Sequence, residues 1–315
     1  MRHAIGIDFG GTTIKSAVVL DGRIIERGAA IETQEATRDA ILEALVATVE
    51  QLHAKAPEIA GVGIGLPGIV DTANGTIYEL TNVPGWEGMP LAEWMRERTG
   101  LLTTIDNDVN AMTYGEWKYG AARDGRHVFC ITLGTGVGGG LILDGQLYRG
   151  AQLGAGEIGH MSIDYRGKPS PSGNPGGLEE YVGNREIAAR AVALYAAAGV
   201  TRPVEDCTPR DLARLAGEGD AIASGIWEEV GLQVGVALAN VIWILNPDTV
   251  IIGGGVAKAG ELLLRPIRET IRARTTRILH EHLRVVAAEL GNDAGIIGNA
   301  ALVVDARSAM AVPVS

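Results

Sequence analysis

The sequence predicts a two-domain α/β protein with an internal duplication, on three observations. The 315 residues are enough for about two domains of ~150 residues each. Apolar strand-like runs alternate with stretches of helical periodicity. A strand that ends in a glycine turn and returns as a second strand occurs twice, at residues 5–17 and 127–143.

The first of these units reads Ile5-Gly-Ile-Asp-Phe-Gly-Gly-Thr-Thr-Ile-Lys-Ser-Ala17. An apolar strand delivers Asp8 and turns at Gly10-Gly11 into Thr12, Thr13 and Lys15. Adjacent glycines let a backbone approach a ligand closely and point N–H groups at an anion. Hydroxyls and an ammonium can bind phosphate oxygens, and a nearby carboxylate can hold a divalent metal. The sequence G-x-x-x-x-G-K-[ST] occurs nowhere, so this is not a Walker loop. A plain tight turn is the competing reading, and the recurrence of glycine turns at two later strand ends decides against it. Asp21-Gly22 between 17–20 and 23–27 is a two-residue hairpin signal. The glycine turn therefore lies in an antiparallel-edged sheet and not in the βαβ unit of a dinucleotide-binding fold.

Residues 37–55 carry helical spacing and stop before Pro57. A buried strand over 61–66 leads into Pro67-Gly68, and Asn74-Gly75 marks a turn. In the loop 80–86, the Asn82 amide can serve a sugar hydroxyl or form an Asx-turn ahead of Pro84, and both readings stay open. A short helix spans 90–98. The strand 102–105 ends in Asp106-Asn107-Asp108, and Asp108 opens a helix over 109–119. Asp108 can cap that helix or act as general base toward a hydroxyl attacking phosphorus. The two roles can also be divided among the three residues.

The strand 127–133 runs into Gly134-Thr135-Gly136-Val137-Gly138-Gly139-Gly140 and returns over 141–143, followed by Asp144-Gly145. Two such turns facing each other would hold a polyphosphate from both sides. Glu157 and His160 sit in a glycine-rich frame with little helix propensity, which marks them as candidate site residues. After a Pro/Gly/Ser loop over 166–177, a helix spans 178–198 with Glu179 in its first turn, where a carboxylate favours the dipole. Helices follow at 209–216 and 220–245; in the second, Gly231 and Gly235 suit close packing. The strand 249–252 ends in Gly253-Gly254-Gly255, a turn that suits the flat face of a nucleoside. A helical segment at 258–279, a strand at 283–287 and a closing apolar helix after Asn292-Asp-Ala-Gly295 complete the chain.

A net charge of -11 without a basic run argues against a nucleic-acid partner. The first strand starts almost at residue 1, so neither a signal peptide nor a helix-turn-helix module is expected ahead of it. No apolar run reaches about 18 uninterrupted residues, so no membrane span is expected. Cys130 and Cys207 are too few for a disulfide framework or a cysteine zinc site. The cytoplasm is the expected location.

With these residues in order, the chain resembles the ROK family of sugar kinases, within the actin- and hexokinase-like ATPases. Ile5–Lys15 looks like the first phosphate motif, Leu133–Gly140 like the second, and Val250–Gly255 like the adenosine motif. The resemblance implies an α/β, two-domain actin-like ATPase (ribonuclease H-like) fold with a hinge and interdomain cleft. It implies a smaller domain of 1–121 plus 298–315 and a larger one of 122–297. It further implies a sugar and ATP with Mg²⁺, and a homodimer or homotetramer.

By resemblance, Asp108 is the base for a sugar hydroxyl, commonly that on C6 of glucose. Asn82, Asn107, Glu157, His160 and Glu179 contact the other hydroxyls. Asp8, Gly10, Gly11, Thr12 and Lys15 handle phosphate and metal, Gly134, Thr135 and Gly136 form the second phosphate turn, and Gly254 and Gly255 lie beside adenosine. Other hexoses (mannose, fructose, allose, N-acetylglucosamine, N-acetylmannosamine) and a non-catalytic sugar-responsive protein are the alternatives. The family's zinc frame Cys-x-Cys-Gly-x-x-Gly-Cys-x-Glu reads here Ser170-Pro-Ser172-Gly173-Asn-Pro-Gly176-Gly177-Leu-Glu179. Its three cysteines are absent, so no structural zinc is expected.

Overall fold

The computed structural model describes residues 3–34, 36–56, 58–81 and 84–310. They pack as two units. Of the described residues, unit 1 holds those up to Asp124, Arg149–Ala155 and Leu290–Met310, whereas unit 2 holds Gly125–Tyr148 and Gly156–Glu289. Residues 122–124, Arg149–Ala155 and residues 290–297, assigned above to the larger domain, pack with unit 1. Arg149 is ion-paired to Asp106 there, and the closing helix already begins at Ala294.

In unit 1, β1 (His3–Phe9), β2 (Thr13–Leu20) and β3 (Arg23–Arg27) form an antiparallel meander. Asp21 and Gly22 both take positive φ (45° and 75°), as the Asp-Gly signal demands. β4 (Ile31–Glu32) pairs the start of β2. α1 (Arg38–Lys55) is capped by Thr37, whose side chain accepts from the Ala40 N–H. β5 (Ile59–Leu66) runs parallel to β1, and β6 (Gly68–Asp71) with β7 (Thr76–Leu80) makes a separate hairpin. α2 (Leu91–Thr99) ends at Gly100, and β8 (Thr103–Asn107) lies parallel to β5 and feeds α3 (Asp108–Tyr119).

In unit 2, β9 (Val128–Leu133), β10 (Val137–Leu143) and β11 (Gln146–Tyr148) repeat the antiparallel meander. The expected helix over 178–198 is two helices, α4 (Glu179–Val182) and α5 (Asn184–Ala197). The break is Gly183, whose extended backbone lets the Asn184 N–H reach the Gly134 carbonyl at 2.9 Å. α6 (Pro209–Gly217) precedes α7 (Ala221–Leu245), which Asp220 caps. By length and composition α7 could cross a membrane, although Glu228 and Glu229 interrupt its apolar run. It is a core helix here, with Ile226, Trp227, Val230, Val234, Leu238 and Ile242 buried.

β12 (Thr249–Gly253) lies parallel to β9. The expected helix over 258–279 divides into a 3₁₀ turn, α8 (Glu261–Arg274) and α9 (Arg277–His280). Thr275 and Thr276 are extended between the last two, a conformation that β-branched residues favour. A Cβ on Gly231 would come within 2.3 Å of Pro266, and one on Gly235 within 2.5 Å of Thr270, so these glycines set the close approach of α7 and α8. β13 (Arg284–Ala287) closes the sheet. α10 (Ala294–Met310) then returns to unit 1.

The sheet orders are β3-β2-β1-β5-β8 and β11-β10-β9-β12-β13. Each has three meander strands, then two parallel strands on the far side of the first, so the expected duplication is present in the topology. In unit 1, the period-2 alternation of β1 turns Ile5, Ile7 and Phe9 into the core that includes α1 and α2. Ala4 and Gly6 face α10 on the other side. A Cβ on Gly6 would lie 1.9 Å from the Ile296 carbonyl oxygen, and one on Gly63 2.0 Å from that of Asn299. The helix therefore lies directly on sheet backbone.

Candidate active site

The first glycine turn begins where β1 ends. The Gly10 N–H donates to the Thr13 carbonyl at 3.2 Å, while Gly11, Thr12 and Lys15 are exposed. Thr33 is buried behind the turn. Its hydroxyl donates to the Gly11 carbonyl at 2.9 Å and its N–H to the Thr12 carbonyl at 3.0 Å. Asp8 pairs in register with Lys15 and lies beside Gly295 at the start of α10. Burial pushes its carboxyl above the usual aspartate range, and the Lys15 charge opposes that shift.

The β8–α3 junction presents the second group of candidates. The helix cap is Asn107 and not Asp108: its Oδ1 accepts from Val109 N–H at 2.9 Å and Asn110 N–H at 3.0 Å. Its Nδ2 donates to the Gly68 carbonyl at 3.1 Å, which leaves one amide hydrogen for a ligand. Asp108 is the first residue of α3, half-buried, with Oδ1 2.9 Å from its neighbour's N–H. Asp106 is buried and held by four contacts. Oδ1 accepts from Asn107 N–H (2.9 Å) and Asn110 Nδ2 (3.2 Å), and Oδ2 accepts from Arg149 Nε (3.0 Å) and Nη2. Asn82 lies outside the described residues.

In unit 2 the second glycine turn closes with Gly134 N–H on the Gly136 carbonyl at 3.0 Å, and Thr135 and Gly136 are exposed. Glu179 reaches this turn. Its Oε2 accepts from the Val137 N–H at 2.7 Å and lies 2.8 Å from where a Gly136 Cβ would stand. The third turn rests on the same strand end. Gly254 has φ +85°, and a Cβ there would lie 2.2 Å from the Leu133 carbonyl oxygen, whereas Gly255 is open. Only glycine satisfies both demands at 254.

Glu157 leads into the 3₁₀ turn Ile158–His160, and its Oε2 is 3.8 Å from His160 Nε2, with both side chains about half exposed. Ser170 Oγ and Ser172 Oγ are 3.0 Å apart, and the Asn174 amide donates to the His160 carbonyl. Neutral hydroxyls bonded to each other do not match the thiolate donors a structural zinc needs. Among the described residues, no cluster of three or more His, Cys, Asp or Glu is arranged to hold a metal.

Unit 1 thus gathers Asp8, Gly10, Gly11, Thr12 and Lys15 at one turn and Asn107 and Asp108 at one helix start. Unit 2 gathers Gly134, Thr135, Gly136, Glu179 and Gly254 at one strand end, and sets Glu157 beside His160. Sequence reading missed Thr33 and Arg149. No local pattern marks either, since each acts on backbone or side chains more than 20 residues away.

A model described as the ROK family matches residues 4–306. A glucokinase of Halalkalibacterium halodurans is 34% identical, over 98% of this chain and 97% of its own. The structure of a ROK family glucokinase from Streptomyces griseus in complex with glucose and AMPPNP is 33% identical with a TM-score of 0.80, covering 95% of this chain and 98% of that one. A putative xylose repressor of a Caldicellulosiruptor species is 32% identical over 95% of this chain and 77% of its own.

Proposed function

The chain belongs to the ROK family, and from that premise we propose that it phosphorylates glucose on C6, with Asp108 as general base. It is an ATP-dependent hexose kinase, as its full-length similarity to glucokinases supports. The observation that carries the base assignment is the β8–α3 junction. There Asn107 supplies the helix cap, and the Asp108 carboxylate stands half-buried at the first position of α3.

In this reading the Asp108 carboxylate takes the proton from the hydroxyl as its oxygen attacks the γ-phosphorus of ATP. The turns Gly10-Gly11-Thr12 and Gly134-Thr135-Gly136, with Lys15, orient the phosphates and offset their charge. The Asp8 oxygens, in a partly desolvated setting that favours a cation, fit Mg²⁺, which would supply the charge that balances the transferring phosphoryl group. Gly254 and Gly255 offer backbone to adenosine. Asn107, Glu157, His160 and Glu179 address the sugar, with Asn82 joining them by resemblance. The family resemblance supports a cytoplasmic, homodimeric enzyme of glycolysis.

ADP release with Mg-ATP across hexoses and N-acetylhexosamines tests the substrate. Turnover highest with glucose is expected, and preference for mannose or an N-acetylhexosamine would replace the substrate while keeping the chemistry. Asp108→Asn tests the base: kcat should fall by roughly 10³-fold with folding intact, within the usual range for general bases. The similarity to a xylose repressor favours a second reading, a sugar-responsive protein without catalysis. ATP consumption strictly dependent on added sugar would exclude it.

A further inference from the structure

We infer that Arg149 is a positioning residue for the phosphoryl-transfer base, acting through Asp106. The inference rests on the assignment of Asp108 as that base. Arg149 follows β11 directly and opens the short segment that packs into unit 1. Its guanidinium grips Asp106 Oδ2 through Nε at 3.0 Å and through Nη2. The Asp106 side chain is only 4% exposed and that of Arg149 27%, so the pair is shielded from water.

The other oxygen of Asp106 binds Asn107 N–H and Asn110 Nδ2, the first at the cap of α3 and the second one turn into it. Asp106 therefore ties the end of β8 to the first turn of α3, and Asp108 stands between the two residues it holds. Without the guanidinium, the buried carboxylate loses half of its donors. It must then turn toward other donors or toward water, and it pulls the Asn107 N–H and the Asn110 amide with it. A displacement of about 1 Å at a catalytic carboxylate can cost up to ~100-fold in rate. The pairing needs a planar fork, which lysine does not provide.

The side of Arg149 is fixed as well. Its loop closes with Ala155 N–H on the Arg149 carbonyl at 3.0 Å, with Gly150 at φ +78°. Its charge also lies close enough to Tyr114 on α3 to act on that phenol. The guanidinium is thus set against both the strand end and the helix that frame Asp108.

The test uses the full chain with Arg149→Met, Arg149→Lys and Arg149→Ala, beside Asp108→Asn and a core control, Leu45→Ala, that lowers Tm comparably. For Arg149→Met, kcat should fall about 10- to 100-fold, the sugar KM should rise, and the ATP KM should stay within about twofold because the glycine turns are untouched. Arg149→Lys should recover only part of kcat. Millimolar ethylguanidinium should raise kcat of Arg149→Ala and leave Asp108→Asn unchanged. A kcat for Arg149→Met no lower than that of the core control, or an equal loss in both KM values without chemical rescue, overturns the inference. If Asp108→Asn turns over normally, the base assignment fails instead, whatever the Arg149 variants do.

Discussion

In unit 1 the turn after β1 is braced by Thr33, whose neutral hydroxyl donates to the Gly11 carbonyl and whose N–H donates to that of Thr12. In unit 2 the equivalent turn after β9 is braced by the carboxylate of Glu179 on the Val137 N–H and by the Asn184 N–H on the Gly134 carbonyl. The strand order is the same and the braces are unrelated. Each unit recruits its brace from what is added to the common sheet: the segment around β4 in the first, the α4–α5 break in the second. The brace of unit 1 touches only acceptors of its turn, whereas that of unit 2 spends one backbone donor and places a negative charge beside the turn. Duplication thus repeats the topology, while the polarity of each turn depends on residues distant in sequence.

The packing of the two units differs in the same spirit, and substitution should expose it. A Cβ on Gly298 would lie 1.7 Å from the Ala111 carbonyl oxygen, backbone against backbone, where nothing can give. Gly298→Ala should therefore destabilise unit 1 by more than ~3 kcal/mol, above the usual overpacking cost, and leave little folded protein in denaturant titrations. In unit 2, Gly231→Ala meets the Pro266 ring, a side chain, and should cost about 1–3 kcal/mol. Equal losses would show that the two helix contacts are equally rigid.

The braces give the next effect in size. Thr33→Val strands the Gly11 carbonyl and should lower stability by about 1–3 kcal/mol, with a higher ATP KM. Glu179→Gln keeps an acceptor for the Val137 N–H and removes the charge, so stability should change by less than about 1 kcal/mol. If Glu179 also serves the sugar, its KM rises while that of ATP does not. A tighter ATP KM alone would assign Glu179 to the phosphate turn only.

The caps differ between the units as well. Asp220 accepts from the Ala223 N–H at 2.9 Å, a bond that holds its carboxyl below the usual aspartate range. A depressed native pKa means that the ionised cap stabilises the fold above the ordinary aspartate pKa, and that this is lost as pH falls through the lower native value. Asp220→Ala should cost about 1 kcal/mol near neutrality, and the gap in Tm from the parent should narrow on titration below pH ~4. An unchanged gap would mean that charge contributes nothing to this cap. The unit 1 cap, Asn107, is neutral and should show no such dependence.

Much of this architecture was legible in the residues. The Asp-Gly turns, the apolar strands ending in glycine and the small residues of α7 each carry a local physical signature, and each formed as expected. The Asp106-Asn107-Asp108 run was ambiguous because asparagine and aspartate cap helices about equally well. Only the end of β8, with Asn107 still extended, decides which of them caps. The break at Gly183 escaped because its cause is a carbonyl of Gly134, and the ion pair of Arg149 with Asp106 because 43 residues separate its partners. Periodicity and capping rules see a few turns of chain, and these contacts are made by the packed sheet.

The last helix lies on the first strand, and this orders events during synthesis. A ribosome that has released Glu289 has delivered every strand and helix of unit 2. Unit 1 at that moment still lacks α10, whose Ile296, Ile297, Ala300 and Val303 pack on the sheet face of Ala4, Ala17 and Val19. The half that emerges first is therefore the half that matures last, and a nascent chain stalled there presents its sticky surface near the N-terminus.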